Sequence, residues 1–141
     1  MNQRLQSLEH LCQEFSIDIL YAFGSRADEV SDWFAYTNKD MSKSVSDVDI
    51  GVKPSHQAEF SVSNKVKLAL ALEDLLGVPR VDLVSLPEAD PFLAANIIRG
   101  ERIFARDAYL ADEYDLFVLR RAGDLAPLER ERMALILGEE Q

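Results

Sequence analysis

The chain has a single cysteine, Cys12, among its 141 residues, so no disulfide can close within it and no cysteine cluster can hold zinc. That usage suits a reducing compartment. Histidine is nearly as scarce. His10 and His56 have no second imidazole close in sequence, so both read as surface residues rather than ligands or bases. Basic charge is in deficit as well: 15 Lys and Arg stand against 25 Asp and Glu, a net charge of -10 with a pI near 4.6. This argues against a broad electrostatic footprint for DNA, RNA or anionic lipid. No apolar run approaches the roughly 20 residues of a membrane span, and the amino terminus reads as amphipathic rather than as a signal peptide. The expected address is cytoplasmic.

What is present suits one compact core. Hydrophobic residues make up 48% and charged residues 28% of the chain, with a mean hydropathy of -0.11, values of a folded globular domain. Leu5, Leu8, Leu11 and Phe15 recur at helical spacing, which predicts an opening amphipathic helix around Cys12. Residues 17–23 alternate β-branched and aromatic side chains and stop at Gly24-Ser25, the pattern of a strand entering a tight turn. Residues 26–46 carry seven charged groups and no sustained period, and are expected to be a long loop with at most one helical turn, tuning rather than creating activity. Within it, Trp33, Phe34 and Tyr36 could stack on a base or pack onto the domain, and packing is favoured.

A strand is predicted over 47–52, ended by Pro54, and a helix over 57–76 closed by Gly77. Another strand follows over 81–84, then a helix over 87–99 with Pro91 in its first turn, and a short edge strand over 102–105. The remainder predicts one helix, or two broken near Gly123 and Pro127; the alternating charges from Asp112 to Glu131 read as a solvated face. The expectation is an α/β (α+β) fold, a small mixed sheet backed by helices, with a core over 1–106 and a carboxyl-terminal helical extension over 107–141.

The chemistry-bearing residues are acidic. Asp47 and Asp49 are two apart in a strand and project to one face, where a hard divalent cation such as Mg²⁺ could bridge them. Asp82 opens the next predicted strand and could face the same place. Three such carboxylates repel one another unless a cation is bound. Gly24 permits a tight turn and a close approach of phosphate to backbone N–H groups, Ser25 adds a hydroxyl and Arg26 a guanidinium. A lone Asp-x-Asp is more often a solvated or capping pair, and a lone Gly-Ser an ordinary turn. The ordered set, Gly-Ser, then Asp-x-Asp, then an Asp in a third strand, is far more specific and matches the needs of phosphoryl transfer.

On Gly24-Ser25, Asp47-Val-Asp49, the Val-Asp-Leu-Val around Asp82 and the segment 97–104, the chain resembles nucleotidyltransferases of the DNA polymerase β superfamily. It is most similar to the minimal nucleotidyltransferase antitoxins paired with HEPN ribonuclease toxins. The resemblance implies a polymerase β-like fold and a Gly-Ser turn that holds the triphosphate of ATP, with Gly24, Ser25 and Arg26 as the nucleotide-binding set. It further implies that Asp47, Asp49 and Asp82 are the catalytic and metal-binding residues for two Mg²⁺ ions, with Asp82 also activating the acceptor. The implied reaction moves AMP from ATP to a tyrosine of a cognate HEPN toxin, in a hetero-oligomer, with no direct nucleic-acid or membrane partner. A purely masking antitoxin and an aminoglycoside-type nucleotidyltransferase remain alternatives. One departure stands out: the family usually has about ten residues between Gly-Ser and the first Asp, whereas residues 26–46 intervene here.

Overall fold

The computed structural model describes residues 2–43, 46–55 and 60–137. Helix α1 (Gln3–Glu14) starts at Asn2, whose side chain accepts from the N–H groups of Arg4 and Leu5, the usual way of satisfying orphan donors at a helix start. Strand β1 (Ile17–Phe23) leads through a 3-10 turn (Gly24–Arg26) into helix α2 (Ala27–Ala35). Strand β2 (Val48–Pro54), helix α3 (Val62–Leu76) and strand β3 (Val81–Ser85) follow; then come a 3-10 turn (Leu86–Glu88), helix α4 (Pro91–Ile98), strand β4 (Glu101–Ala105) and helix α5 (Ala108–Leu137).

The four strands form one mixed sheet in the order β3-β2-β1-β4. β1 pairs antiparallel with β2 and with β4, and β2 pairs parallel with β3. The alternation along the strands sorts the core into two layers. Leu20, Ala22, Val48, Ile50 and Val52 pack against the side chains of α1, α2 and α3, including Leu8, Trp33, Phe34 and Leu72. Ile19 and Tyr21 face the other way, onto Ala95, Ile97, Ala111 and Val118 of α4 and α5. The mixed α/β fold expected from sequence is thus present, with helices on both faces of the sheet.

Three details differ from the sequence reading, and one open alternative is decided. Residues 26–46 are not all loop: α2 occupies nine of them and buries Val30, Trp33 and Phe34, because Ala27, Val30 and Phe34 share a helix face that the intervening acids obscure. The helix expected over 87–99 starts only at Pro91, since Asp90 caps the N–H groups of Phe92 and Leu93. The helix expected from 57 starts at Val62, capped by Ser61; residues 56–59, His56 among them, lie outside the described residues. Of the one or two helices expected after residue 106 the structure has one, and α5 runs through Gly123 and Pro127 without a break. Proline removes one intrahelical hydrogen bond, and the helix formers Leu125, Ala126, Leu128 and Arg130 on either side carry the helix past it.

The first half of α5 is locked to the sheet. The hydroxyl of the fully buried Tyr21 donates to Asp115, and Arg102 of β4 pairs with Asp112 at 2.9 Å and Asp115 at 3.3 Å. Burial, followed by the hydrogen bond and charge of Asp115, pushes the Tyr21 phenol far above its ordinary range. It remains a neutral donor.

Candidate active site

The sheet topology brings three separated pieces of sequence to one end. Antiparallel pairing sets Phe23, the last residue of β1, opposite Asp49 near the start of β2; parallel pairing sets Asp49 beside Asp82. Neighbouring strands lie about 4.8 Å apart. Gly24, Asp49 and Asp82 therefore sit side by side across three adjacent strands. Because Val48, Ile50, Val81 and Leu83 point into the layer beneath α1–α3, Asp49 and Asp82 take the opposite face, beyond the end of the core.

Gly24 has φ +76°, a left-handed conformation, and a Cβ added there would collide with Oδ2 of Asp49. The left-handed φ favours glycine, and any other residue would also push the Asp49 carboxylate aside. The 3-10 turn and α2 follow at once, and neither N-terminus has a side-chain cap. The Ala27 N–H is taken by the Gly24 carbonyl, which leaves the N–H groups of the turn itself, beside the exposed Ser25 hydroxyl, to face an anion such as phosphate.

The carboxylates load one another with charge. Partial burial, then the charge of Asp82, then that of Asp47 push the Asp49 carboxyl above its usual range. Asp47 sits just before β2 and leans on Arg80, with Oδ2 3.4 Å from Nε. Among the described residues no group of three or more His, Cys, Asp or Glu is gathered tightly enough to hold a metal ion. The pull of Arg80 on Asp47 gives a physical reason for that looseness. The donor set nonetheless fits a hard divalent cation in kind: it is all carboxylate oxygen, it is mutually repulsive, and it lies beside an open row of amides.

Of the residues expected at the nucleotide, Gly24 and Ser25 are exposed at the turn. Arg26 is not: only 5% exposed, it donates through Nε to Glu29 at 2.7 Å and through its terminal nitrogens to the carbonyls of Ser46 at 3.0 Å and Ser42 at 2.9 Å. Glu29 in turn accepts from the Ser42 N–H at 2.7 Å. Burial raises the Glu29 carboxyl, but the Ser42 and Arg26 hydrogen bonds outweigh that and hold it below its ordinary range. Trp33 and Phe34 are core residues and only Tyr36 of the three aromatics is exposed. Arg80 is the group that sequence reasoning missed. Its position just before β3 was the available signal, but its pairing with Asp47 depends on strand order. A cavity of about 530 Å³ lined by Asp18, Lys53, Arg106 and Tyr114 lies at the opposite end of β1 and β2, away from these carboxylates.

The polymerase beta nucleotidyltransferase family model matches residues 6–109, spanning the turn and all three carboxylates. The chain belongs to the polymerase beta nucleotidyltransferase family. No curated protein matches it. Among solved structures, a chain of a toxin-antitoxin crystal structure with AMP-PNP superposes with a TM-score of 0.64 at 21% identity, covering 94% of each chain. A chain from tri-AMPylated Shewanella oneidensis HEPN toxin in complex with MNT antitoxin gives 0.61 at 21% identity, covering 96% of each. A structure described as a minimal nucleotidyltransferase gives 0.51 at 29% identity, covering 72% of this chain and 89% of that one. These likenesses establish the polymerase β-like nucleotidyltransferase fold.

Proposed function

We propose that the chain is a cytoplasmic, Mg²⁺-dependent protein adenylyltransferase, the antitoxin of a toxin-antitoxin pair, which moves AMP from ATP to a tyrosine of a cognate HEPN toxin. The observation that carries this reading is the convergence of Gly24-Ser25, Asp49 and Asp82 on one sheet end, with Asp47 beside them, in a chain of the nucleotidyltransferase family. The tri-AMPylated HEPN toxin in one structural relative supports the choice of acceptor. Among the described residues no helix is long and apolar enough to cross a membrane.

The open amides after Phe23 and the Ser25 hydroxyl hold the triphosphate. Asp47, Asp49 and Asp82 would hold Mg²⁺, two ions in the full arrangement, which when bound neutralises charge on the attacking and leaving oxygens. Asp82, the most exposed of the three aspartates, orients the tyrosine hydroxyl and takes its proton. The tyrosine oxygen bonds to the α-phosphorus as the bond from that phosphorus to the bridging oxygen breaks. Pyrophosphate departs with that oxygen, leaving AMP on the toxin.

A masking role is the second reading, favoured by the exposed Leu128, Leu135 and Ile136 on the far part of α5. Mass spectrometry separates the two. Toxin incubated with this protein, ATP and Mg²⁺, then freed of it, is expected to carry one or more AMP units and to stay inactive as a ribonuclease. Unmodified toxin that regains activity would mean masking alone.

A further inference from the structure

The insertion between the Gly-Ser turn and Asp47 spans residues 26–46, and a tether of that length leaves its far end poorly defined unless something fixes it. Asp47 needs fixing more than Asp49 does. It precedes β2, so no ladder hydrogen bond of that strand orients its backbone; downstream, the Val48 N–H donates to the Arg80 carbonyl at 3.2 Å. Upstream, the neighbouring carbonyl of Ser46 is held by Arg26.

Arg26 is built for this task. It directly follows the Gly-Ser turn, it is buried, and its planar fork reaches three acceptors: Glu29, Ser42 and Ser46. The second oxygen of Glu29 takes the Ser42 N–H, so arginine at the end of the 3-10 turn and glutamate in the first turn of α2 grip the returning segment together. Charge-assisted bonds of this kind have defined geometry, and lysine cannot reproduce the fork. The turn and the backbone entering Asp47 are thereby tied together through the Ser46 carbonyl.

We propose that Arg26 is a positioning residue which, with Glu29, sets Asp47 against Asp49 and Asp82, rather than a ligand of the triphosphate. This rests on the nucleotidyl-transfer reading for its effect on rate, but not for its effect on the segment. A displacement of about 1 Å in such a site costs up to about 100-fold in rate.

Arg26→Lys, Arg26→Ala, Glu29→Ala and the Arg26→Ala/Glu29→Ala double variant test it. The expected result is a roughly 10-fold to 100-fold fall in kcat and a higher half-saturating Mg²⁺ concentration, with the KM for ATP unchanged. The two alanine variants should share the defect and the double variant should add little. Two readouts do not require turnover: hydrogen exchange of the segment from Ser42 to Asp47 in the ligand-free protein, expected to quicken in every variant, and Mn²⁺ binding followed by electron paramagnetic resonance, expected to weaken. A raised KM for ATP confined to the Arg26 variants, with exchange and Mn²⁺ binding as in the parent, would instead make Arg26 a phosphate ligand and overturn the proposal. If the parent protein transfers no AMP, the functional reading fails, while the exchange measurement still decides whether Arg26 holds the segment.

Discussion

Asp49 is held where its charge is least welcome: partly buried, beside Asp82 and near Asp47. Its carboxyl is raised in the folded state, so between the unfolded and folded pKa values the native protein binds more protons than the unfolded chain. Stability therefore falls as pH rises through the folded value, and above it the penalty is fully present. Replacing the charge should remove the penalty. In metal-free protein at pH 7, Asp49→Asn is expected to gain up to about 1 kcal/mol, a few degrees in Tm, with the gain shrinking as the buffer is taken below the folded pKa. If the proposed function holds, the same variant is expected to lose transfer by about 100-fold or more, because it removes a charged carboxylate that would hold Mg²⁺. Thermal melts across pH, beside an AMP-transfer assay, check both. A variant less stable than the parent at pH 7 would mean that Asp49 is a structural acceptor rather than a carboxylate held in readiness for a cation.

At the scale of elements, α2 decides how the insertion is regarded. Trp33 lies in the core, 4.9 Å edge-on from Phe34, with the Arg4 guanidinium 4.0 Å over its ring. Arg4 also donates to the carbonyls of Trp33 at 2.8 Å and Lys39 at 2.7 Å, and Asn2 donates to that of Phe34. Trp33→Ala is expected to cost about 3–5 kcal/mol in denaturant unfolding, and Tyr36→Ala, at a position 55% exposed, within about 0.5 kcal/mol. Equal small effects would return the insertion to the status of a surface loop. Strand β1 was legible in the sequence because its alternation is bounded by Gly24, and the order of Gly-Ser and the three aspartates was legible because the strands that carry them are short and well punctuated. Helix α2 was obscured because Asp28, Glu29 and Asp32 interrupt a short apolar face. The partners of Arg26 and of Asp47 were not legible at all: Ser42, Ser46 and Arg80 are distant in sequence and meet them only once the sheet order is set.

Across the whole molecule, α5 divides into a bound half and a free half. Its 30 residues span about 45 Å, yet among the described side chains the buried ones, Ala111, Val118 and Ala122, lie in the first half. Beyond them Leu128, Met133, Leu135 and Ile136 are exposed, on a stretch about as long as the shortest helices that hold in water unaided. If the chain neutralises a toxin as proposed, this part of α5 is where a helical partner would cover apolar surface, while the net charge of -10 speeds the approach to a basic ribonuclease cleft. Ending the chain after Ala122 is then expected to keep the Tm within a few degrees of the parent, since the core layers and the Tyr21–Asp115–Arg102 tie are retained. Affinity for the toxin should fall by about 100-fold or more, the scale set by losing a few buried apolar anchors, mainly through faster dissociation. Calorimetry and surface-plasmon kinetics at two salt concentrations separate the contributions: raising salt should slow association of parent and truncated chain alike, whereas truncation should change the dissociation rate. A truncated chain that binds the toxin as tightly as the parent would move the interface to the sheet end that carries Asp82, and make the encounter with the acceptor tyrosine itself the main hold on the toxin.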